Sequence, residues 1–298
     1  MTRFIQALLF ILVLGCSSNK TLTDSVRKQP KTVVPAPGVL WLKDNLYIDE
    51  TEVTNFHYLE YYFWTLRNRP QKINGLLLDT ARWVNDNYGT IELLKYYHRH
   101  PVYRDYPVVG ISYEQAVDYC EWRTNMVNCL LYNRQKGEKK FSFDSTFDYP
   151  KQVLYRLPTL EEWTFAAHAG LDTTLYPLGY VNLTSKQGKP INFTQEYYNL
   201  FQRPQIPFFI ARKSKSTRPC PTNHVKFGGV PNKYGLYNLI GNVSELVLDS
   251  LVVGLNFKTT LDGKPIYEKE YKLDEALNYK RPEVWIGFRC VCEILVKE

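Results

Sequence analysis

Helix-starting signals constrain the fold of this chain more than any other feature of its sequence, because they are few and widely spaced. Thr54 precedes an aromatic segment at 55–66, which is typical of a helix packed on a sheet or on another helix. Capping boxes at 112–115 and 159–162 begin two further helices, the second of which ends at Gly170. The 298-residue sequence therefore predicts only three sizeable helices.

Short β-like segments accompany these helices, and one long region has no regular period. The β-like segments lie at 40–42, 45–48, 154–156 and 285–294. Between about 171 and 234 the chain is rich in Pro, Gly, Asn and Tyr, which is typical of packed loops around a site. Few helices combined with short strands predict an α+β fold with low regular content.

The charge balance argues against nucleic acid as a partner. The chain has 37 Lys and Arg residues against 30 Asp and Glu, so its formal charge is +7, which is modest for this length. Its densest basic stretch, at 211–218, is typical of a solvated loop. With 44% hydrophobic and 22% charged residues, the composition predicts a folded core and excludes a disordered chain.

The N-terminal segment predicts export followed by lipid attachment. An apolar stretch at 4–14 follows the basic Arg3. A spanning helix needs roughly 20 apolar residues, so this shorter stretch predicts a signal peptide at 1–15. Gly15 and Cys16 directly after it resemble the bacterial lipobox, which implies cleavage before Cys16 and acylation there with fatty acids such as palmitate. An ordinary secretory signal with a chance cysteine is the alternative.

Lipid attachment would place the protein on a bilayer. Several acyl chains anchor a protein stably. No acidic residue stands at the second position after Cys16, and by analogy with bacterial sorting this favours the outer membrane, with its periplasmic face preferred over the cell surface. The Ser/Thr/Lys-rich residues 16–37 predict a flexible tether, and 38–298 predict one soluble body.

Five segments of this body, in order, resemble the formylglycine-generating-enzyme-like (sulfatase-modifying factor) domain family. They are DETEVTN at 49–55, PVVGISYEQAVDYCEW at 107–122, YRLPTLEEW at 155–163, NKYGLYNLIGNVSE at 232–245 and GFRC at 287–290. The resemblance implies a variant C-type-lectin-like fold, in which small sheets, two main helices and much irregular loop are held by calcium. The first two segments are also similar to gliding-motility and type IX secretion lipoproteins of Bacteroidota, in which the resemblance implies a scaffold.

The chemistry of that family is not expected here. Its oxidase reaction needs two neighbouring cysteines that bind copper through their thiolates. The corresponding stretch, 251–280, contains no Cys and no Arg-Gly-Gly-Ser. The iron-dependent relatives need a histidine triad from a separate helical domain, whereas His98 and His100, the only close pair, are typical of surface residues on a loop. We therefore predict no catalytic residues, no copper and no enzyme.

The resemblance implies one calcium site. Its ligands would be the side-chain oxygens of Asn238 and Glu245 with the carbonyl groups of Gly241 and Val243, since calcium prefers six to eight oxygens. The alternative is a packed turn without metal. The second calcium site of the family lacks its carboxylate, because 197–244 contains no Asp or Glu.

Five cysteines follow Cys16. An exported protein is permitted disulfides, and the resemblance implies that Cys120 pairs with Cys290. Cys292 lies two residues further on the same strand face and stays open as the alternative partner. Cys129 and Cys220 are not assigned.

The leading functional hypothesis is a non-catalytic scaffold that binds outer-membrane protein partners in gliding or type IX secretion. The alternatives are an enzyme that uses the same groove with another set of residues, and a calcium-dependent glycan-binding module. An enzyme predicts a deep polar pocket with a strongly perturbed titratable group. A scaffold predicts instead a broad apolar or aromatic surface patch.

Overall fold

The structure is a computed structural model, and it describes residues 38–85, 91–138, 141–144, 146–173, 220–226, 231–257 and 273–295. The helices are α1 (Asn55–Asn68), α2 (Arg82–Asn85), α3 (Ile91–Tyr96), α4 (Tyr113–Gln135) and α5 (Leu160–His168), with 3-10 helices at Pro70–Leu76 and Pro101–Tyr103. The strands are β1 (Val39–Lys43), β2 (Leu46–Asp49), β3 (Val153–Arg156), β4 (Ser244–Val247), β5 (Leu251–Val253), β6 (Leu277–Asn278), β7 (Ile286–Phe288) and β8 (Val291–Ile294). This mixture confirms the predicted α+β class.

The three long helices begin at the predicted caps. The Thr54 hydroxyl accepts the N–H of His57 before α1. Reciprocal capping boxes begin α4 at Ser112 and α5 at Thr159, and in each box the third helical residue bonds back to the cap. These bonds satisfy backbone N–H groups that have no partner inside the helix. Local sequence was sufficient to place these helix starts.

The strands of the described chain form two four-stranded sheets, ordered β1-β2-β8-β3 and β6-β5-β4-β7. All neighbours in the first sheet are antiparallel. In the second sheet β4 pairs with β7 in parallel, with Glu245 opposite Gly287. Gly287 is required there, because a Cβ atom would lie 2.9 Å from Val243 Cγ2 and 3.0 Å from Val108 O.

The single β-like segment predicted at 285–294 is divided in the structure. Phe288 ends β7 in one sheet, and Val291 begins β8 in the other. Between them the Arg289 side chain is fully buried, and the N–H of Cys290 donates at 2.9 Å to a side-chain oxygen, Asp49 Oδ2, rather than to a backbone carbonyl group. These side-chain interactions interrupt the ladder, and the chain passes from the second sheet to the first.

Helix α4 protects the edge strand β3 with polar side chains. Asn128 Oδ1 accepts the N–H groups of Gln152 and Val153 at 2.8 and 3.0 Å, and its Nδ2 donates to Val153 O at 2.9 Å. Thr124 Oγ1 accepts the N–H of Tyr155 at 2.8 Å. An exposed strand edge is open to pairing with other chains; these bonds close it and fix α4 on the first sheet.

Several predicted features lie outside the described residues. They include the signal peptide at 1–15, Cys16, the tether at 16–37 and most of the irregular region at 171–234. Within the described ranges, no helix has both the length and the apolar character needed to cross a bilayer.

Candidate functional site

The segment 238–245, in which we predicted calcium ligands, forms a tight turn that leads into β4. Asn238, Gly241 and Asn242 have positive φ angles of 56°, 87° and 57°. Glycine enters this left-handed region freely, and asparagine does so more easily than most residues. The turn therefore depends on the residue types at these three positions, and it directs the side chains around it into the core.

Glu245 lies in the core as half of a buried ion pair. Both Glu245 and Arg289 have no measurable solvent exposure. Arg289 Nε donates to Glu245 Oε2, and Nη2 donates to Oε1, each at 2.7 Å. Trp163 Nε1 donates to the same Oε2 at 2.7 Å. A buried charge is tolerated only when it is paired and hydrogen-bonded in this way.

The remaining donors of Arg289 hold backbone carbonyl groups from two other segments. Nη1 donates to Asp49 O at 3.1 Å, and Nη2 donates to Tyr237 O at 2.7 Å. The guanidinium group thus joins the end of β2, the turn before β4 and β4 itself. The Arg of the GFRC segment was part of the family resemblance, but its partner 44 residues away could not be identified from sequence spacing.

A second buried carboxylate, Glu52, lies beside this pair and was missed by the sequence analysis. Its side chain accepts Asn238 Nδ2 at 3.0 Å and Asn242 Nδ2 at 2.8 Å. Burial raises the pKa of Glu52 to about 7, against the opposing effect of the Arg289 guanidinium, and the negative charge of Glu245 adds to the rise. The only sequence signal for Glu52 was its position within the DETEVTN segment.

These contacts do not favour the predicted calcium ligand set. The Glu245 carboxylate already receives three donors, and a divalent cation there would lie against the Arg289 guanidinium. Asn238 Oδ1, by contrast, is a buried oxygen without a hydrogen-bond partner in the described structure. No cluster of three His, Cys, Asp or Glu side chains that could hold a metal occurs in the described ranges. The calcium site therefore stays a prediction, and Glu245 does not fit it.

Cys120 and Cys290 lie side by side in the core. Both are buried, and their Sγ atoms are 3.5 Å apart. Burial raises the pKa of Cys290 well above its ordinary value. In the structure all five described cysteines are thiols, so the disulfide stays a prediction, now with its partners in contact. Cys292 is opposite Tyr155 in the register of β8 with β3.

Cys129 and Cys220 have separate surroundings. Cys129 Sγ donates to Ser142 O at 3.1 Å, and Cys220 Sγ lies 3.3 Å from Thr222 Oγ1.

His98 is not the surface residue that its loop position predicted. Its Nε2 lies 2.9 Å from Val109 O, and its Nδ1 is buried without a partner in the described structure. Burial lowers the pKa of His98 to about 4. His100 instead caps the 3-10 helix at Pro101–Tyr103, accepting the N–H of Val102 at 3.2 Å. The two histidines therefore have different structural roles.

The model of one protein family, the sulfatase-modifying factor enzyme 1-like domain, matches residues 10–294. This chain belongs to the sulfatase-modifying factor enzyme 1-like domain family. The resemblance of the five segments is thereby confirmed at the level of the family. The buried Glu245, Arg289 and Trp163 all lie in these segments, so three of the family's motif residues form the ion-pair network.

Curated relatives of this domain are similar over about half of the chain. The formylglycine-generating enzyme of Bos taurus is 26% identical over 160 residues, which is 54% of this chain and 31% of that protein. The formylglycine-generating enzyme of Thermomonospora curvata is 29% identical over 145 residues, or 49% of this chain and 34% of that protein. The inactive C-alpha-formylglycine-generating enzyme 2 of Bos taurus is 28% identical over 141 residues, 47% of this chain and 32% of that protein. The matched stretches thus span about a third of each relative.

Solved structures match over most of the chain at low identity. The crystal structure of CarF covers 86% of this chain and 93% of its own, with a TM-score of 0.43 and 18% identity. The structure of PvdO from Pseudomonas aeruginosa covers 84% of this chain and 80% of its own, with a TM-score of 0.42 and 17% identity.

Breaking the buried ion pair should destabilise the protein strongly. Glu245→Gln and Arg289→Met should each lower the free energy of unfolding by about 3–5 kcal/mol, because each leaves a buried partner unpaired. The double variant should cost less than the sum by about 1–3 kcal/mol. Urea unfolding of the four proteins measures this coupling.

The partly exposed pair of Lys226 and Glu50, 2.6 Å apart, is the matched control. Its cycle, built with Lys226→Met and Glu50→Gln, should give a coupling below about 1 kcal/mol. If the losses of unfolding free energy in Glu245→Gln and Arg289→Met add up in the double variant, the two residues do not stabilise the protein as a pair.

Glu52 should make stability fall as pH rises through the neutral range. Its folded pKa of about 7 exceeds the ordinary value of 4.5. The native state therefore binds the proton more tightly, and this contribution is complete below pH 4.5 and lost as pH rises through 7. Its full size is about 3 kcal/mol.

Glu52→Gln should remove this contribution, and Glu50→Gln should keep it. Urea unfolding at pH 5 and pH 8 measures the difference between each variant and the parent protein. A parallel pH response of Glu52→Gln and the parent would contradict the raised pKa.

Proposed function

We propose that this chain is a non-catalytic, lipid-anchored scaffold of the outer membrane, which binds partner proteins in an assembly for gliding motility or type IX secretion. Its anchor would be the acylated Cys16, and its body a variant C-type-lectin-like domain. The observation that carries the proposal is a domain of the formylglycine-generating family whose stretch 251–280 has no cysteine. Without a thiolate pair in that stretch, the soft ligand set that the family uses for copper is missing.

The position of the strongly perturbed carboxylate supports this proposal. Glu52 is 1% exposed and bonded to two asparagines, so it has no access to a substrate from solvent. Glu245 and Arg289 are engaged with one another in the core. The motif residues thus stabilise the domain. The inactive C-alpha-formylglycine-generating enzyme 2 of Bos taurus is a precedent for a related protein that is named as inactive.

A large cavity also supports a binding function over a catalytic one. It lies beside α1, it is lined by one residue of the five motif segments, Asn55, and most of the side chains that line it are apolar. The described lining contains no carboxylate, thiol or Ser hydroxyl, which are common nucleophiles and bases in catalysis. Calcium is not required by the proposal.

The protein should not generate formylglycine. Incubated with Cu(I), oxygen and a sulfatase-derived peptide that contains the target cysteine, it should leave the peptide unchanged, because 251–280 supplies no thiolate pair. Mass spectrometry of the peptide detects the mass loss that accompanies conversion of a thiol to an aldehyde. The Thermomonospora curvata enzyme is the positive control. Copper-dependent turnover by this chain would overturn the non-catalytic proposal.

Partner proteins should be recovered with the lipidated protein after crosslinking in its own membranes. Mass spectrometry should then find secretion or gliding components in fixed stoichiometry. Cys16→Ala should abolish both palmitate labelling and this recovery, while Cys129→Ala should keep the labelling. Labelling that survives Cys16→Ala would contradict the anchor. Recovery of abundant porins alone would contradict the scaffold.

A further inference from the structure

A cavity of about 840 Å³ lies between α1, the 3-10 helix Pro70–Leu76 and α3. Its volume is in the range of small-molecule binding sites. Tyr58 and Leu76, which line it, are buried at 3% and 4% exposure. None of its lining residues belongs to the Glu52, Glu245 and Arg289 network. The cavity is therefore a separate feature of the domain.

The mouth of the cavity carries large apolar side chains that remain exposed. Phe63, Leu66 and Leu77 all line it, and they are 57%, 45% and 56% exposed. While these three side chains stay in water, the domain lacks the favourable free energy that burial of their apolar surface would give. A ligand with a hydrocarbon portion would bury their surface against the floor of the cavity.

Two lining residues carry buried acceptor atoms that have no donor in the described structure. One is Asn55 Oδ1, whose residue is 2% exposed. Asn55 Nδ2 donates to Tyr97 O and Tyr103 O at 3.0 and 2.9 Å, so the amide cannot be reversed without losing both bonds. The orientation of the amide group is therefore fixed, and the atom without a hydrogen-bond partner is the oxygen, Oδ1.

The second acceptor is His98 Nδ1. Val109 O only accepts, so His98 Nε2 carries the proton at 2.9 Å and Nδ1 of the neutral ring is an acceptor. Asn55 is bonded to the backbone of Tyr97, the residue before His98, so the two acceptors belong to neighbouring parts of the wall. Buried acceptors are nearly always paired in folded proteins. Neither atom is open to solvent in the structure, so a ligand that donates hydrogen bonds would satisfy them once the wall shifts enough to admit its donor.

The positive charge of the cavity wall favours a ligand with a negative charge. Lys95 and Arg99 line the cavity and are exposed, and neither has a carboxylate partner within the described ranges. The described lining contains no Asp or Glu. The described lining thus has two positive charges and no negative one, and an anionic group would be attracted to both.

The geometry points to a binding site for an anionic lipid-like molecule. Its hydrocarbon chain would lie against Tyr58, Leu76 and Leu77, and its carboxylate would pair with Lys95 and Arg99. An amide N–H or hydroxyl group beside the carboxylate would donate to Asn55 Oδ1 or His98 Nδ1. N-acyl amino acids and hydroxylated fatty acids have this combination of groups. The site is independent of the proposed scaffold function and would persist in a chain without protein partners.

Calorimetric titration of three probes tests this assignment. The protein is the mature chain from residue 16 with Cys16→Ser, so that no attached acyl chain competes. The probes, below their micelle concentrations, are N-dodecanoylglycine, dodecanoate and dodecyltrimethylammonium. N-dodecanoylglycine should bind one molecule per chain and about tenfold more tightly than dodecanoate, which lacks the donor. The cationic probe should bind more weakly than either.

Charge reversal at the mouth provides the matched comparison. Lys95→Glu with Arg99→Glu should weaken both anionic probes by about tenfold or more. Arg134→Glu with Lys136→Glu makes the same charge change on exposed residues outside the cavity and should leave the affinities unchanged. Absence of saturable binding, equal affinity for the cationic probe, or equal weakening by both double variants would overturn the site. Equal affinity for N-dodecanoylglycine and dodecanoate would overturn the role of the two acceptors.

Discussion

The buried pair of Glu245 and Arg289 is the interaction on which the rest of this domain depends. Arg289 stands where the chain leaves the second sheet and enters the first, and its guanidinium group binds a strand carboxylate and two carbonyl groups from other segments. Trp163 on α5 binds the same carboxylate. Both sheets and one of the main helices therefore meet at a single desolvated charge pair. Removing one partner would leave the other charge uncompensated in the core, which is far more costly than losing a surface pair.

The second buried carboxylate, that of Glu52, holds the loops in place through hydrogen bonds. Glu52 fixes the amide groups of Asn238 and Asn242, and these amides also bind the backbone at Val225 and Asn223. Loop backbone is expensive to bury unless its polar groups are paired. In these loops, side chains rather than strands or helices supply hydrogen-bond partners for the backbone. This explains how a chain with short strands and few helices forms an ordered core.

Local features could be predicted from the sequence, and long-range pairings could not. The caps at Thr54, Ser112 and Thr159 were predicted because a cap and its N–H donor lie within three residues. The division of 285–294 into two strands was missed because it depends on the pairing of Arg289 with a residue 44 positions away. His98 was assigned to the surface because its partner, the carbonyl group of Val109, is on another segment. Cys120 and Cys290 are brought together across 170 residues, and only the family resemblance suggested it.

These contacts also explain why a strong family resemblance predicts the fold of this chain better than its chemistry. Thr159 and Glu162 cap a helix, Trp163 and Arg289 bind Glu245, and Gly287 permits close approach of β7 to Val243. Each of these motif residues has a structural contact that accounts for it without a reaction. A chain that keeps them keeps the domain, whatever happens to the cysteines that the reaction needs. In this chain the residues that hold the domain together are therefore different from the cysteine pair that the family's reaction needs, which 251–280 lacks.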